Sequence, residues 1–160
     1  MVTGIPNVGK STFINSFAKR SAAKTGNKPG VTRGNQWIRL NDKVELLDTP
    51  GILWPKFEDP EVGVKLALIG TINDEILSQY ELALRGIGYL KAAYPDALPS
   101  RYEGLTPDRG NEETLAEIAQ IRKCLKKGGE PDTDKAARLF LEDLRSGRFG
   151  RISFEKPEEI

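Results

Sequence analysis

A short segment near the start of the chain has the residue types and spacing of a polyphosphate-binding loop. Residues 4–11 read Gly-Ile-Pro-Asn-Val-Gly-Lys-Ser and match the pattern G-x-x-x-x-G-K-[ST] at every fixed position. In such a loop, successive backbone N–H groups face the phosphates, and the following helix N-terminus adds a partial positive charge. Lys10 would reach β- and γ-phosphate oxygens, and Ser11 would offer its hydroxyl to Mg²⁺. The alternative is a glycine turn before a helix with an accidental Lys-Ser pair.

Two further segments could complete a magnesium site. Asp48-Thr-Pro-Gly51 offers a carboxylate for the water shell of the metal and a flexible glycine near the γ-phosphate. Its alternative is an ordinary turn, because Asp, Pro and Gly all suit turn positions. Thr32 lies between the two motifs, and its hydroxyl could become a second ligand once the γ-phosphate orders that loop. We therefore predict Ser11, Thr32 and Asp48, the last through water, as the magnesium residues.

The elements that must position these residues can be read from local patterns. Residues 2–3 have the composition of a strand end, and we expect that strand to have lost its beginning. Apolar residues at one-turn spacing predict a helix over residues 10–20. Residues 21–33 predict an irregular loop, and residues 36–40 with 43–47 predict an antiparallel hairpin. The segment thus reads as a partial α/β unit.

From residue 60 onward the periodicity becomes helical. Asp59 is a predicted N-cap with Pro60 as the first helical residue, and helical spacing, including Ile76 and Leu77, continues towards residue 94. Residues 100–110 predict a connection. Thr114 with Glu117 suggests a capping box for a helix that ends at Gly128-Gly129, and a last helix is predicted over residues 133–146. We expect an all-helical unit over residues 61–160.

Composition excludes several classes of protein. The chain has 160 residues, 24 Lys plus Arg against 23 Asp plus Glu, and a single cysteine. Near-neutral charge argues against coating nucleic acid by bulk charge, so an RNA surface must be local. No apolar run approaches the roughly 20 residues of a membrane span, and Cys124 cannot form an internal disulfide. We expect a reducing, cytosolic compartment and Cys124 in the core.

The three motifs together resemble the G1, G2 and G3 motifs of translation-factor-like GTPases. More closely, four segments resemble the bacterial ribosome biogenesis GTPase A family, also called YlqF: the phosphate loop, Lys28-Pro-Gly-Val-Thr32 with Gln36-Trp37, Leu47-Asp-Thr-Pro-Gly-Ile-Leu-Trp-Pro-Lys-Phe57, and Leu144-Arg-Ser-Gly-Arg-Phe-Gly-Arg-Ile-Ser-Phe154. The resemblance spans essentially the whole chain. Residues 48–57 are its most specific part, because many GTPases share Asp-Thr-Pro-Gly but few continue in this way.

The resemblance implies a circularly permuted fold, in which the guanine-recognition motifs Asn-Lys-x-Asp and Ser-Ala-Lys (G4 and G5) precede the phosphate loop. We accordingly expect the fold class to be α/β, with a partial P-loop GTPase domain at residues 1–60 and an all-α domain at residues 61–160. Residues 21–24 and 27–30 imitate the two motifs only by coincidence, because they lie in the switch loop. The expectation is the C-terminal portion of a longer protein, with the guanine preference implied by the family.

The resemblance also implies a set of nucleotide contacts. The expected cofactors are GTP or GDP, Mg²⁺ and K⁺, with Asn7 as the potassium ligand; the alternative is that Asn7 only stabilises its own turn. Ile52 stands where many GTPases carry a water-orienting glutamine, so we expect slow hydrolysis by this chain. The predicted catalytic residues are Lys10, Thr32 and Gly51. The predicted nucleotide-binding residues are Gly4, Asn7, Val8, Gly9, Lys10, Ser11, Thr12 and Gly51.

Two basic clusters in the helical part are candidate RNA contacts. From composition alone, with acidic residues such as Asp143 close by, a solvated face with ordinary ion pairs is the simpler explanation. The resemblance implies contact with ribosomal RNA of the large (50S) subunit precursor by a monomeric cytoplasmic or organellar protein. The alternatives are a nucleotide-incompetent RNA-binding fragment and an ATP-using P-loop protein. The predicted RNA-binding residues are Arg122, Lys123, Lys126, Lys127, Arg145, Arg148 and Arg151.

Overall fold

The architecture is that of two separate units, Met1–Asn73 and Asp74–Ile160. The computed structural model describes residues 1–19, 22–23, 25–26, 31–53, 57, 59–72 and 78–155. Within these ranges the first unit contains helix α1 (Lys10–Ala18), strands β1 (Gln36–Arg39) and β2 (Glu45–Asp48), and helix α2 (Pro60–Leu68). The second unit contains α3 (Gln79–Ala93), α4 (Ala97–Arg101), α5 (Asn111–Ile121) and α6 (Thr133–Arg145).

The first unit is organised by the predicted hairpin, which is confirmed. Strands β1 and β2 pair antiparallel, with Gln36 opposite Asp48 at the end of β2. Val2 forms a parallel bridge to Asp48 and donates its N–H to the Leu47 carbonyl at 2.9 Å. The predicted strand end before the phosphate loop therefore lies directly beside the end of β2. Ile14 of α1 and Ile38 of β1 are buried in a small core.

Both helices of the first unit begin as the sequence predicts. Helix α1 starts at Lys10 but ends at Ala18, because Lys19 adopts a left-handed φ of 51°; Arg20, the predicted last residue, lies outside the described residues. Helix α2 has Asp59 as its N-cap, whose side chain accepts from the Glu61 N–H at 2.9 Å, and Pro60 at its first position. These caps are encoded locally, which explains why the sequence predicts them.

The division between the units lies after α2 and not near residue 60. One reason is that the end of α2 is hydrogen-bonded to the phosphate loop: Asn7 Nδ2 donates to the Gly70 carbonyl at 3.1 Å. Gly70 and Thr71 are both buried. Helix α2 therefore belongs to the first unit. Its helical periodicity alone had suggested that it belongs to the second, all-helical unit.

The second unit is an all-helical bundle around one apolar core. The core includes Leu82, Ile87, Ile118 and Phe140, and Cys124 is buried as expected. Helix α3 begins at a Ser78–Glu81 capping box; the predicted helical positions Ile76 and Leu77 lie outside the described residues. Within the described residues, no helix has both the length and the apolar character needed to cross a membrane.

Two local predictions in this unit are wrong. Helix α5 begins after Gly110, whose N–H is accepted by Glu113, so Thr114 lies one turn inside the helix. The Thr114 hydroxyl instead donates to the Gly110 carbonyl, where burial makes an internal partner necessary. The helix also ends at Ile121, before the predicted Gly128-Gly129 stop. Those glycines, with φ of 113° and 88°, form a left-handed turn in the loop beyond it.

Candidate nucleotide and magnesium site

The phosphate loop connects the strand end at Val2 directly to the N-terminus of α1. Gly9 is the N-cap of that helix with φ of 88°, a conformation that favours glycine, and a Cβ there would meet open space. The first turn of α1 contains no acidic residue. The partial positive charge of the helix end is therefore not neutralised locally, which suits an anionic ligand.

The Lys10 side chain folds back over the loop from the first position of α1. Its Nζ donates to the carbonyl of Ile5 at 2.9 Å and to that of Gly4 at 3.2 Å. The ammonium group is thereby held at the start of the loop by the loop's own backbone. Because Lys has three N–H donors, one remains for a phosphate oxygen.

The three predicted magnesium residues come together from three parts of the chain. Ser11 Oγ donates to Asp48 Oδ2 at 3.1 Å and shares a hydrogen bond of 3.2 Å with Thr32 Oγ1. Because the Ser11 proton goes to Asp48, Thr32 is the donor in the second bond. The structure thus brings together two hydroxyl oxygens and a carboxylate, although 37 positions separate Ser11 from Asp48.

This donor set fits a magnesium ion. Mg²⁺ prefers hard oxygen ligands and retains several waters, which matches two hydroxyls with a carboxylate one layer out. Asp48 is fully buried, and among the described residues its Oδ1 has no hydrogen-bond partner. A buried carboxylate oxygen without a partner is costly unless a cation, or water bound to one, satisfies it. No group of three or more His, Cys, Asp or Glu in the described ranges forms a competing metal site.

Gly51 packs against the phosphate loop at a distance that excludes a side chain. A Cβ on Gly51 would lie 2.4 Å from both N and Cα of Pro6, which is far inside van der Waals contact. Thr49 Oγ1 donates to the Val2 carbonyl at 2.9 Å and joins the same segment to the strand end before the loop. The roles of Pro6 and Thr49 had no signal in the sequence, because each depends on a contact more than forty positions away.

The remaining loop positions differ in exposure and partners. Asn7 has a left-handed φ of 57° and donates its side-chain N–H to the Gly70 carbonyl, a partner outside its own turn. Val8 in the loop and Thr12 in α1 are exposed. Ile52 is 73% exposed, and its side chain offers no polar group to a water. The switch positions 28–30 and the family-specific positions 54–56 lie outside the described residues.

The predicted RNA-binding residues fall into two groups. Arg122 and Arg148, assigned to separate clusters by the sequence, both donate to the buried Asp143, at 3.2 and 2.6 Å. Arg101, which the sequence analysis missed, joins them at 2.9 Å. The other predicted residues are exposed: Lys123, Lys126, Lys127, Arg145 and Arg151. Sequence spacing could not find this arrangement, because the arginines lie at or just beyond the C-terminal ends of three different helices.

Three ionisable groups of the second unit have shifted pKa values, and the directions of the shifts differ. Burial opposes ionisation of Asp143, but hydrogen bonds from Arg101, Arg148 and Tyr102 outweigh it and hold its pKa below the ordinary value. Burial, followed by the nearby Asp143 charge, raises the pKa of Tyr102. Desolvation lowers the pKa of Lys91. The Asp143 carboxylate is therefore charged at neutral pH and Tyr102 is a neutral donor to it.

The chain matches one family profile and several curated proteins that share one name. A family profile described as "50S ribosome-binding GTPase" matches residues 1–85. The chain is 46% identical over its full length to ribosome biogenesis GTPase A of Bacillus licheniformis, of which it covers 56%. It is 34% identical to the Thermotoga maritima protein of that name, covering all of this chain and 57% of that one. The chain therefore spans a little over half the length of these curated relatives.

Solved structures agree with the sequence comparison. A GNP-bound structure of YlqF from Thermotoga maritima matches with a TM-score of 0.67 at 32% identity, covering 98% of this chain and 58% of that one. A GDP-bound YlqF structure matches with a TM-score of 0.67 at 30% identity, covering 97% of this chain and 59% of that one. The predicted fold class, a P-loop GTPase domain joined to a helical part, is confirmed by these matches.

Proposed function

The chain belongs to the 50S ribosome-binding GTPase family, and we propose that it supplies the phosphate and magnesium contacts of a GTP-hydrolysing factor for assembly of the large ribosomal subunit. The observation that carries this proposal is the convergence of Ser11, Thr32 and Asp48 beside the Lys10 loop. An ordinary glycine turn before a helix does not require two hydroxyls and a buried carboxylate beside it. The names of the relatives supply the ribosomal part of the proposal.

Each residue has a defined task in this proposal. The loop N–H groups and the N-terminus of α1 bind the phosphates, and Lys10 contacts the β- and γ-phosphate oxygens. Ser11 and Thr32 hold Mg²⁺ directly, and Asp48 holds its water shell. When bound, the metal neutralises charge on the β- and γ-phosphates. Gly51 keeps its segment close enough to the loop to meet the γ-phosphate.

Guanine specificity, potassium and slow turnover are further parts of the proposal. The relatives are named GTPases and one related structure is GNP-bound, which favours a guanine nucleotide. Potassium would use Asn7 Oδ1, since Asn7 Nδ2 is occupied by Gly70. Ile52 cannot orient the attacking water, so we expect this chain alone to hydrolyse GTP slowly. Replacing K⁺ with Na⁺ in the binding assay tests the potassium assignment.

The second unit is proposed to contact ribosomal RNA in the cytoplasm. Its predicted contacts are lysines and arginines, which bind phosphate groups and make affinity depend on salt. The exposed residues Lys123, Lys126 and Lys127 lie in the segment between α5 and α6. A basic connection of this kind could meet an RNA backbone while the first unit binds nucleotide.

The experiment is equilibrium binding of a fluorescent GTP analogue with Mg²⁺ and K⁺, competed by GTP, GDP and ATP. It is run on this chain and on the whole product of its gene. Lys10→Ala should abolish binding, whereas Lys43→Ala, an equal charge change in the exposed hairpin turn, should leave it unchanged. Equal competition by ATP, or unchanged binding by Lys10→Ala, would contradict the proposal.

A further inference from the structure

The second unit places three arginines around a single buried carboxylate. Asp143 on α6 is fully buried and accepts from Arg101 at the end of α4, Arg122 after α5, and Arg148 after α6. Tyr102 adds a hydroxyl bond of 3.0 Å to Oδ2. These bonds join the C-terminal ends of α4, α5 and α6. The positions of the guanidinium groups are therefore fixed relative to one another by one anchoring residue.

The charge of this cluster is not balanced. Three guanidinium groups face one carboxylate, so the cluster has an excess of two positive charges. Among the described residues, Asp143 is the only carboxylate that these three side chains contact. Their side chains are 27%, 29% and 46% exposed for Arg101, Arg122 and Arg148. A purely structural ion pair would need only one or two of these cations.

Most of the hydrogen-bond donors in the cluster remain available. Each guanidinium has five N–H donors, yet Arg101 gives two to Asp143 and Arg122 and Arg148 give one each. No other acceptor within the described residues takes the rest. The guanidinium groups of Arg101 and Arg122 both lie 5.9 Å from the Tyr102 ring centre, which restricts their motion further. Donors that are fixed before binding cost less entropy when a ligand arrives.

We propose that Arg101, Arg122 and Arg148, positioned by Asp143, form a binding site for a phosphate group. A phosphate is the matching ligand because it accepts hydrogen bonds from several directions and because guanidinium forks bind its oxygens in pairs. Its negative charge offsets the positive excess of the cluster. If the proposed ribosomal function is correct, the source of the phosphate is an RNA backbone; a free phosphate anion is the other source with the same chemistry.

The test uses Arg148, the most exposed of the three, because Asp143 keeps Arg101, Arg122 and Tyr102 without it. Arg148→Gln should weaken binding of a 20-base-pair RNA duplex about three- to tenfold at 0.1 M salt and lower the salt slope by about one. Arg148→Lys keeps the charge but loses the fork, so it should also weaken binding. Arg138→Gln, the same charge change at an exposed position of α6, should change affinity less than about twofold.

Inorganic phosphate distinguishes the two sources. If millimolar phosphate displaces the duplex from the wild-type chain but not from Arg148→Gln, the site also accepts the free anion. If phosphate has no such effect while the Arg148 and Arg138 variants differ, the site is specific for an RNA backbone. Equal affinity and salt slope for the two variants, or no binding of either ligand to the wild type, overturns the proposal. All assays omit nucleotide, so GTP binding can fail or succeed independently.

Discussion

The Ser11 hydroxyl donates a hydrogen bond of 3.1 Å to Oδ2 of Asp48, and this bond joins the start of α1 to the end of β2. The contact is possible because Val2, just before the phosphate loop, is bridged to Asp48 as a parallel neighbour. The positions of the phosphate loop and of the Asp48 carboxylate are therefore both determined by the pairing of Val2 with Asp48.

Asp48→Asn should remove the dependence of nucleotide affinity on magnesium. The amide keeps the size of the side chain but loses the charge that holds the water shell, and it leaves Ser11 with a weaker acceptor. We expect the ratio of affinities with Mg²⁺ and with EDTA to fall by about tenfold or more, towards one. The measurement is titration of the fluorescent GTP analogue in both conditions.

The control for this prediction is Asp42→Asn. Asp42 lies in the exposed hairpin turn and pairs with Arg39 at 2.7 Å. Asp42→Asn therefore makes the same chemical change at a position away from the phosphate loop. Its magnesium ratio should equal that of the wild type. A wild-type ratio for Asp48→Asn would remove Asp48 from the metal site.

Gly51→Ala should destabilise the first unit, even without nucleotide. The added Cβ would lie 2.4 Å from backbone atoms of Pro6, which cannot rotate away as a side chain could. We expect a loss of about 1 to 3 kcal/mol from this overpacking. Both tryptophans of the chain, at positions 37 and 54, belong to the first unit, so their fluorescence during urea unfolding reports on it.

Gly34→Ala is the matched control. A Cβ on Gly34 would meet no atom within 4 Å, and its φ is not in the left-handed region. Its urea midpoint should stay at the wild-type value or rise slightly, because alanine restricts the unfolded chain. If both variants unfold at the same urea concentration, the Pro6 contact does not constrain Gly51.

The Asn7–Gly70 bond predicts an ordered series of variants. Asn7→Gly removes only the side chain, because glycine accepts the left-handed φ of 57°, and should cost about 0.5 to 1.5 kcal/mol. Asn7→Ala loses the same bond and adds backbone strain of about 1 kcal/mol, so it should be the less stable variant. Tryptophan-detected urea unfolding of both proteins gives the order. An alanine variant as stable as the glycine variant would mean that the loop relaxes.

The features that the sequence predicted correctly are specified by residues close together in the chain. The phosphate loop, the Asp59–Pro60 start of α2 and the hairpin each depend on a few neighbouring residues, and all three are present. Thr114 shows the limit of such patterns: it and Glu117 match a capping box, but the N-cap of α5 is Gly110, whose N–H is accepted by Glu113. Two overlapping signals one turn apart cannot be ranked without knowing that Thr114 becomes buried.

The contacts that position functional groups were mostly beyond the sequence. Pro6 against Gly51 and Asn7 against Gly70 depend on where strands and helix ends meet in space. Likewise, Asp143 looked like one member of an exposed ion-pair face, because its spacing does not show that α4 and α5 end beside it. The convergence of Ser11, Thr32 and Asp48 was an exception, because recognisable motifs specified three distant positions at once.

Asp143 makes the stability of the second unit sensitive to acid. Hydrogen bonds from its arginine and tyrosine partners lower its pKa in the folded state from the ordinary 3.8, against the effect of burial. Near pH 4 the unfolded chain therefore binds more protons than the folded one, so stability rises with pH through this window. The contribution is complete above about pH 5 and is lost as the pH falls through the folded-state pKa.

Asp143→Asn should remove this acid dependence and lower stability at neutral pH. The neutral amide leaves three guanidinium groups without their anion, which should cost about 1 to 3 kcal/mol, because these groups are partly solvated and lose hydrogen bonds to a charged acceptor. Asp134→Asn, at an exposed position in the first turn of α6, serves as the control and should keep the wild-type slope. All four tyrosines lie in the second unit, so the tyrosine component of second-derivative ultraviolet absorbance during urea unfolding from pH 3 to pH 7 follows that unit. If Asp143→Asn retains the wild-type slope between pH 3 and pH 5, the acid sensitivity arises elsewhere and the carboxylate does not anchor the arginines.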